Sequence, residues 1–312
     1  MRFRFIDAEQ AHYPVDLLCR CLEVSRAGYY AWRGRPPSSR STEDARLRVA
    51  IGVSHAASRG TYGSPRVHRD LRDQGRRVSR KRVARLMKDA GLAGRHKRRF
   101  RTTTDSKHSR PIAANVLMRQ FDVEAINVVW ATDLTYLATL DGWLYLAAIL
   151  DLCSRRVVGY AMGERIDTKL VLWALDRALA SRPGARDVLI HADRGSQYAS
   201  HEFRRALDGA GLVLSMSRRG NCWDNAVVES FFGTLKTELL LDEPRRSRAL
   251  TEAAVADYID GFYNPVRRHS SIGYVSPVAF ELRAGTAGSG GFAPAPRDCL
   301  MKEGQEVPGL AA

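Results

Sequence analysis

The chain has 312 residues and is 45% hydrophobic, enough to bury a core and too apolar for a disordered polymer. Its apolar runs fall short of the ~18 residues of a membrane span, and MRFRFIDAEQAHYPVDLL lacks a signal-peptide pattern, so a cytoplasmic protein is expected. The net charge of +15 is lopsided: residues 1–110 carry 27 Lys and Arg against 10 acids, residues 111–312 carry 22 against 24, so a polyanion-binding module joined to a near-neutral one is implied.

Residues 1–40 read as a helical segment: YPVDLLCRCLEVSRAGYYAW gives a helix, a turn near Val24 and a second short helix capped by Ser25. RGRPPSSRSTED breaks the pattern at Pro36 and Pro37, and a helix follows from about Glu43 to Ser54. Beyond it, Pro65 suits the first turn of a helix through Val67 and Leu71, Gly75 ends that helix, Ser79 caps the next and Gly91 stops it. The second helix presents Val83, Leu86 and Met87 as a buried stripe and leaves Arg80, Lys81, Arg82, Arg85 and Lys88 outside, a basic helix-turn-helix-like pattern. RHKRRFRTTTDSKHSRP then forms a polar arm whose Arg95, Lys97, Arg98 and Arg99 suit phosphate contacts; region and arm together span residues 41–110. A flexible linker is a compatible reading of the same arm.

From Ile126 the period changes. NVVWATDLTYLAT and GWLYLAAILDLCSRRVVGYAMG are β-branched and aromatic runs separated by Asp141-Gly142, a hairpin signal, and predict strands at 128–137, 143–151 and 155–162. Helix 168–181, strand 187–193, helix 200–210, the strand LVLSMS, the amphipathic helix of NCWDNAVVESFFGTLKTEL (221–239) and one over about 247–263 follow. This order describes a mixed α/β sheet with flanking helices over residues 122–283. Residues 284–312 are Gly-, Ala- and Pro-rich and read as a disordered tail. The five cysteines, Cys19, Cys21, Cys153, Cys222 and Cys299, lack zinc-knuckle spacing.

Three acids occupy informative positions. Asp133 interrupts the first strand, Asp193 ends the fourth, and Glu229 edges the apolar stripe of NCWDNAVVESFFGTLKTEL. At ~100° per residue, Glu229, Asn225 and Lys236 share one polar face, beside a stripe of Val227, Phe231, Phe232, Leu235 and Leu239. A carboxylate in a sheet-forming run costs energy unless it is solvated, paired or bound to a cation. Acids from separate elements of a basic chain suggest metal-assisted phosphodiester chemistry. Asp151, which also ends a strand, reads as a solvent-facing acid that needs no metal.

VWATDLTYL, ILDLCSRRVVGY, HADRGSQYAS, RRGNCWDNAVVESFFGTLKTEL and YNPVRRHSSIGYVSPVAFE resemble the integrase-like core of bacterial insertion-sequence transposases, in the group nearest to retroviral integrases. The resemblance runs over about residues 10–283 and implies a ribonuclease H-like fold with a mixed five-stranded sheet, the first strand central. It maps the family's carboxylate triad onto Asp133, Asp193 and Glu229, with 35 residues between the last two, and its basic DNA contact onto Lys236. Implied with it are two Mg²⁺ ions held by those acids, which Mn²⁺ can replace. Cleavage at the element ends then frees a 3′-OH, and strand transfer follows. Implied partners are double-stranded DNA in the element's terminal repeats and the target, other copies of the chain on that DNA, and an upstream helix-turn-helix and coiled-coil product or fusion. The expected location is at the bacterial nucleoid.

His191 and Trp223 are expected to support the site rather than to react, and Asn225 to touch DNA. Asn264, Arg267, Arg268 and His269 either hold a DNA flank or fasten the chain to the core. Two rival readings remain: a DNA-binding regulator without catalysis, and a ribonuclease H-like nuclease that only hydrolyses.

Overall fold

The computed structural model describes residues 1–95, 123–217, 226–240 and 243–287. Lys97, Arg98, Arg99, Trp223, Asn225 and residues 288–312 lie outside the described residues.

Helices α1 (Arg2–Glu9), α2 (Val15–Cys21) and α3 (Arg26–Arg33) close around Ile6, Leu18, Cys19 and Tyr29. Ser25 caps α3, its hydroxyl accepting from the Gly28 amide at 3.0 Å. The sequence pattern does not announce α1, because Ile6 is its one buried residue and no stripe exists to be read. Helix α4 (Ser39–Ala57) starts earlier and ends later than expected, capped by Ser38. Helices α5 (Ser64–Asp73) and α6 (Arg80–Asp89) follow, α6 capped by Ser79 and burying Val83, Leu86 and Met87. Gly75 and Gly91, with φ of +78° and +68°, make the turns that end them.

Two of the basic residues assigned to the outside of α6 are engaged in packing. Arg82 donates to Asp44 of α4 at 2.7 Å and pairs with Glu43 at 2.9 Å, and Arg85 reaches the second Asp44 oxygen at 2.7 Å. Asp44 is buried between them, so the pair clamps α6 to α4. Arg80, Lys81 and Lys88 are exposed.

The expected strands form a sheet of β1 (Val129–Thr139), β2 (Gly142–Asp151), β3 (Val157–Gly163), β4 (Leu189–Ala192) and β5 (Val213–Met216), ordered β3-β2-β1-β4-β5. The first three run antiparallel, and β4 and β5 lie parallel to β1, which is central as expected for a ribonuclease H-like sheet. Gly142, at φ +103°, makes the β1–β2 hairpin turn.

Helices α7 (Thr168–Ser181) and α8 (His201–Ala210) cover one face, packing Leu170, Ala174, Leu175 and Phe203 against Trp130, Ile149 and Ile190. Helix α7 comes so near β3 that a Cβ on Gly159 would lie 2.3 Å from the Ala174 carbonyl. The opposite face takes α9 (Ala226–Leu235), which widens into a π-helical turn over Lys236–Leu240. It also takes α10 (Arg248–Ala256), continued by a π-helical stretch over Asp257–Tyr263. Their Phe231, Phe232, Leu235, Tyr258 and Phe262 belong to one apolar cluster that continues into Leu47, Ile51 and Leu71 of α4 and α5. Helix α11 (Pro277–Ala287) closes the described chain, so residues 284–287 continue a helix instead of opening a tail. Among the described residues no helix is long and apolar enough to cross a membrane.

Candidate active site

Strands β1 and β4 pair in parallel with Ala131 opposite His191. Two residues further on, Asp133 and Asp193 follow on the same face of the pleat, the face that carries α9. The backbone fixes both carboxylates: Asp133 Oδ1 accepts from the Leu134 amide at 2.7 Å and Asp193 Oδ1 from the Gly195 amide at 2.8 Å. Burial, and after it the charges of Asp193 and Glu229, hold Asp133 well above the usual carboxylate range, against the Leu134 amide and Lys236. Behind them Tyr198 bonds the Thr132 hydroxyl at 3.2 Å, and burial with the two aspartates keeps its phenol protonated.

Helix α9 brings Glu229 in from the side. Val228, Phe231, Phe232 and Leu235 are buried against the sheet, and Glu229 stays exposed at the edge. The stripe therefore uses Val228 where the sequence pattern suggested Val227, which is half-buried. Lys236 leans over the ring of Tyr136, its Nζ 4.9 Å from the centroid. Burial lowers the Lys236 pKa and the charge of Asp133 draws it back up, which sets the ammonium within the field of the carboxylates.

Carboxylates on adjoining strands, Asp133 within β1 and Asp193 just past β4, are a donor set that suits Mg²⁺, which is commonly held by one or two carboxylates together with substrate phosphates. Among the described residues no three His, Cys, Asp or Glu side chains stand close enough to share one ion. The charge of Asp193 acts on Asp133 more strongly than that of Glu229 does.

His191 is buried on β4 with its Nδ1 3.0 Å from the Ser215 hydroxyl of β5. Asp151 departs from the solvent-facing acid expected: it is fully buried and accepts from the amides of Asn127 (2.6 Å), Cys153 (2.9 Å) and Ser154 (3.0 Å). Arg95 is drawn onto the core, donating to the Glu238 carbonyl at 2.6 Å. The segment after α10 makes several contacts with the core. Asn264 exchanges two hydrogen bonds with the Val157 backbone at 3.0 Å each, and Arg268 joins Asp70 of α5 and the Tyr274 carbonyl. Arg267 and Tyr258 converge on Glu238.

Glu238 is the residue the sequence pattern passes over. In an α-helix Leu239 would continue the stripe; the wider turn from Lys236 rotates Thr237 and Glu238 inward instead. An acid between Thr237 and Leu239 looks like surface until its basic partners are located elsewhere in the chain.

A family model described as an integrase core domain matches residues 124–222, another so described matches residues 210–277, and an HTH-like domain model matches residues 42–100. The insertion element IS600 uncharacterized 31 kDa protein of Shigella sonnei is 46% identical over 264 residues, which are 85% of this chain and 97% of that protein. Transposase InsF for insertion sequence IS3A of Escherichia coli (strain K12) is 38% identical over 283 residues, 90% of this chain and 98% of that one. Among solved structures, a simian T-cell lymphotropic virus intasome in complex with PP2A regulatory subunit B56 gamma aligns over 84% of this chain and 85% of its own, at 16% identity and a TM-score of 0.44.

Proposed function

The chain belongs to the insertion-sequence transposases with an integrase-type core, and from that premise we propose that Asp133, Asp193 and Glu229 are its catalytic carboxylates. Its activity is polynucleotidyl transfer in DNA transposition and integration. One observation carries the residue assignment: Asp133 within β1 and Asp193 just past the end of β4 lie on adjoining strands beside the glutamate helix, and burial with the Asp193 charge raises the proton affinity of Asp133.

Asp133 and Asp193 would hold a shared divalent ion, and Glu229 would complete a second. Two Mg²⁺ ions, or Mn²⁺ in their place, supply charge stabilisation for the attacking and leaving oxygens on either side of phosphorus. The residues do the rest by position. The Leu134 and Gly195 amides stop the aspartates from rotating, and the buried side of α9 limits the travel of Glu229. In the first step water attacks a phosphodiester, a new P–O bond forms, and the leaving 3′ oxygen takes up a proton to become a 3′-OH. In the second, that hydroxyl attacks another phosphodiester, one P–O bond replaces another, and no nucleotide triphosphate is consumed. Lys236 would meet a phosphate near the reacting one, held to that place by Tyr136. The exposed Arg80, Lys81 and Lys88 of α6 would contact the element end away from the chemistry. Joining two ends calls for more than one copy of the chain on the DNA.

The experiment is Asp133→Asn assayed with duplexes carrying the element ends, in Mg²⁺, both uncut and precleaved to expose the 3′-OH. The expected result is DNA binding near the wild-type level with cleavage and joining both lost. Joining that survives in this variant would overturn the assignment. A wild type that cuts but never joins a precleaved end would point to a hydrolytic nuclease, and binding with neither reaction would point to a regulator.

A further inference from the structure

Residues 1–35 have an apolar cluster of their own, Ile6, Leu18, Cys19 and Tyr29, with Val24 and Trp32 packed against it. The side-chain hydrogen bonds and ion pairs described for these residues join them to one another. Helix α2 ends at a left-handed residue, Glu23, with φ of +52°. There the Val24 amide bonds back to the Cys19 carbonyl at 3.0 Å and the Glu23 amide to the Arg20 carbonyl at 3.2 Å. Two residues on, Ser25 caps α3. The same device closes α5, where Gly75 is left-handed and the Arg76 amide returns to the Leu71 carbonyl at 2.9 Å before Ser79 caps α6. The turn from α2 to α3 is the tighter of the two, residues 22–25, and a pair of short helices about a turn of this length is a helix-turn-helix. Helix α1 braces the pair: the rings of Phe3 and Trp32 stack at 5.8 Å, and a Cβ on Gly28 would stand 2.8 Å from the Ser25 hydroxyl and 3.4 Å from Phe3.

The outward face of α3 is as informative as the buried one. Tyr29 is buried and Gly28 and Trp32 are half-buried, whereas Arg26, Ala27, Tyr30, Ala31 and Arg33 are exposed over an arc of about 160°. Helix α3 contains no acid. Asp16 of α2 stands 3.9 Å from Arg26, but both side chains are at least 60% exposed, so that pair is weak and yields readily to a phosphate or a base. Arg33 is steadied at the far end by Gln10, to which it donates at 2.9 Å. A guanidinium, two methyl groups and a half-exposed phenol suit the floor of a major groove, where arginine meets guanine and alanine meets the thymine methyl.

We propose that residues 1–35 are a second DNA-reading helix-turn-helix, with α3 in the major groove of the element end, apart from the helix pair of α5 and α6. The inference rests on the transposase reading above and adds a second reading head to it. At 1.5 Å per residue α3 is about 12 Å long, enough to cover three or four base pairs.

The test is Arg26→Ala and Ala27→Glu in the full chain, measured by fluorescence anisotropy on a duplex carrying the element end and on a scrambled duplex, with a hydroxyl-radical footprint of each complex. Arg26→Ala should lower the preference for the element end about tenfold. Ala27→Glu sets an acid in the first turn of α3, where the helix dipole favours it, so it should melt as the wild type does and still weaken binding to the element end at least tenfold. The wild type should protect two separate patches, of which Ala27→Glu loses one and keeps the other. Unchanged affinity and footprint in variants that melt as the wild type, with a wild type that binds and joins, would overturn the second reader alone. Equal losses on the element end and the scrambled duplex would reduce α3 to a phosphate contact and overturn it as a reader. A changed oligomeric state by sedimentation, with DNA affinity intact, would make this face a contact between copies and overturn the proposal. A wild type that binds no DNA would overturn the transposase reading and the second reader with it.

Discussion

Glu238 and Arg267 meet in a buried two-pronged pair, Nε to Oε2 at 2.8 Å and Nη2 to Oε1 at 2.7 Å, directly beneath the helix that carries Glu229 and Lys236. Tyr258 adds a third bond to the same carboxylate at 2.7 Å, and Arg95 holds the Glu238 carbonyl. The pair therefore ties the end of the glutamate helix to the segment after α10 and to the chain leaving α6.

Removing one member strands the other charge in the interior. Glu238→Leu is expected to cost about 3–5 kcal/mol of stability, whereas Glu238→Leu combined with Arg267→Met should recover much of that loss, since an apolar pair needs no counter-charge. Urea denaturation of the two variants checks this. If the double variant is as unstable as the single one, the pair is not what that part of the core depends on.

The arginines of α6 divide into two classes that one assay separates. Arg82→Ala should lower the unfolding midpoint, because it leaves Asp44 buried with one cation fewer, and should leave the salt dependence of DNA binding nearly unchanged. Lys88→Ala should do the reverse, flattening the salt slope by about 0.9 for each phosphate it no longer neutralises, with no change in stability.

What the sequence made legible was whatever short-range periodicity controls. The run Thr168–Ser181 carries an apolar stripe between a capping Asp167 and Pro183, and its helix has the ends expected of it. The five strands announce themselves by β-branched and aromatic runs, and Asp133, Asp193, Glu229 and Lys236 are each visible as polar residues at the margin of such a run. Nothing local encodes that β4 lies beside β1, since α7 carries the chain from the edge strand β3 past β2 and β1 to β4. The illegible features are those of long-range pairing: Asp44 with Arg82, Glu238 with Arg267, and Asp151 turning inward to accept three amides. The π-helical turn at Lys236–Leu240 belongs to the same class, because its one-residue slip is favourable only where Arg267 and Tyr258 await Glu238.

His269 gives a pH test. Its folded pKa lies well below the ordinary 6.5, through burial and the nearby arginines, so below pH 6.5 the unfolded chain takes up a proton that the folded chain refuses. The stability from this residue is thus full above pH 6.5 and is lost as pH falls below it, by at most about 1.4 kcal/mol per pH unit. His269→Gln keeps an acceptor for Arg267 and removes the titration. Melting curves between pH 8 and pH 5 should show a shallower decline in this variant than in the wild type, and parallel declines would exclude His269 as a source.

Asp133 carries the opposite sign. Its folded pKa is raised, by burial and then by Asp193 and Glu229, so the folded chain binds the proton more tightly than the unfolded one. Without metal, stability falls as pH rises from the ordinary carboxylate range through that folded value, so above the ordinary carboxylate range Asp133 is a net cost to stability. Asp133→Asn, the variant that should abolish catalysis, is therefore expected to melt higher than the wild type in EDTA at pH 7, by about 1 kcal/mol of stability. Mg²⁺ should then raise the wild type and leave the variant nearly unmoved, because only the wild type offers two carboxylates for the ion to join. Calorimetry of both proteins in EDTA and in Mg²⁺ decides it. A variant less stable than the wild type in EDTA would mean that the Asp133 carboxylate holds the fold together and is not strained within it.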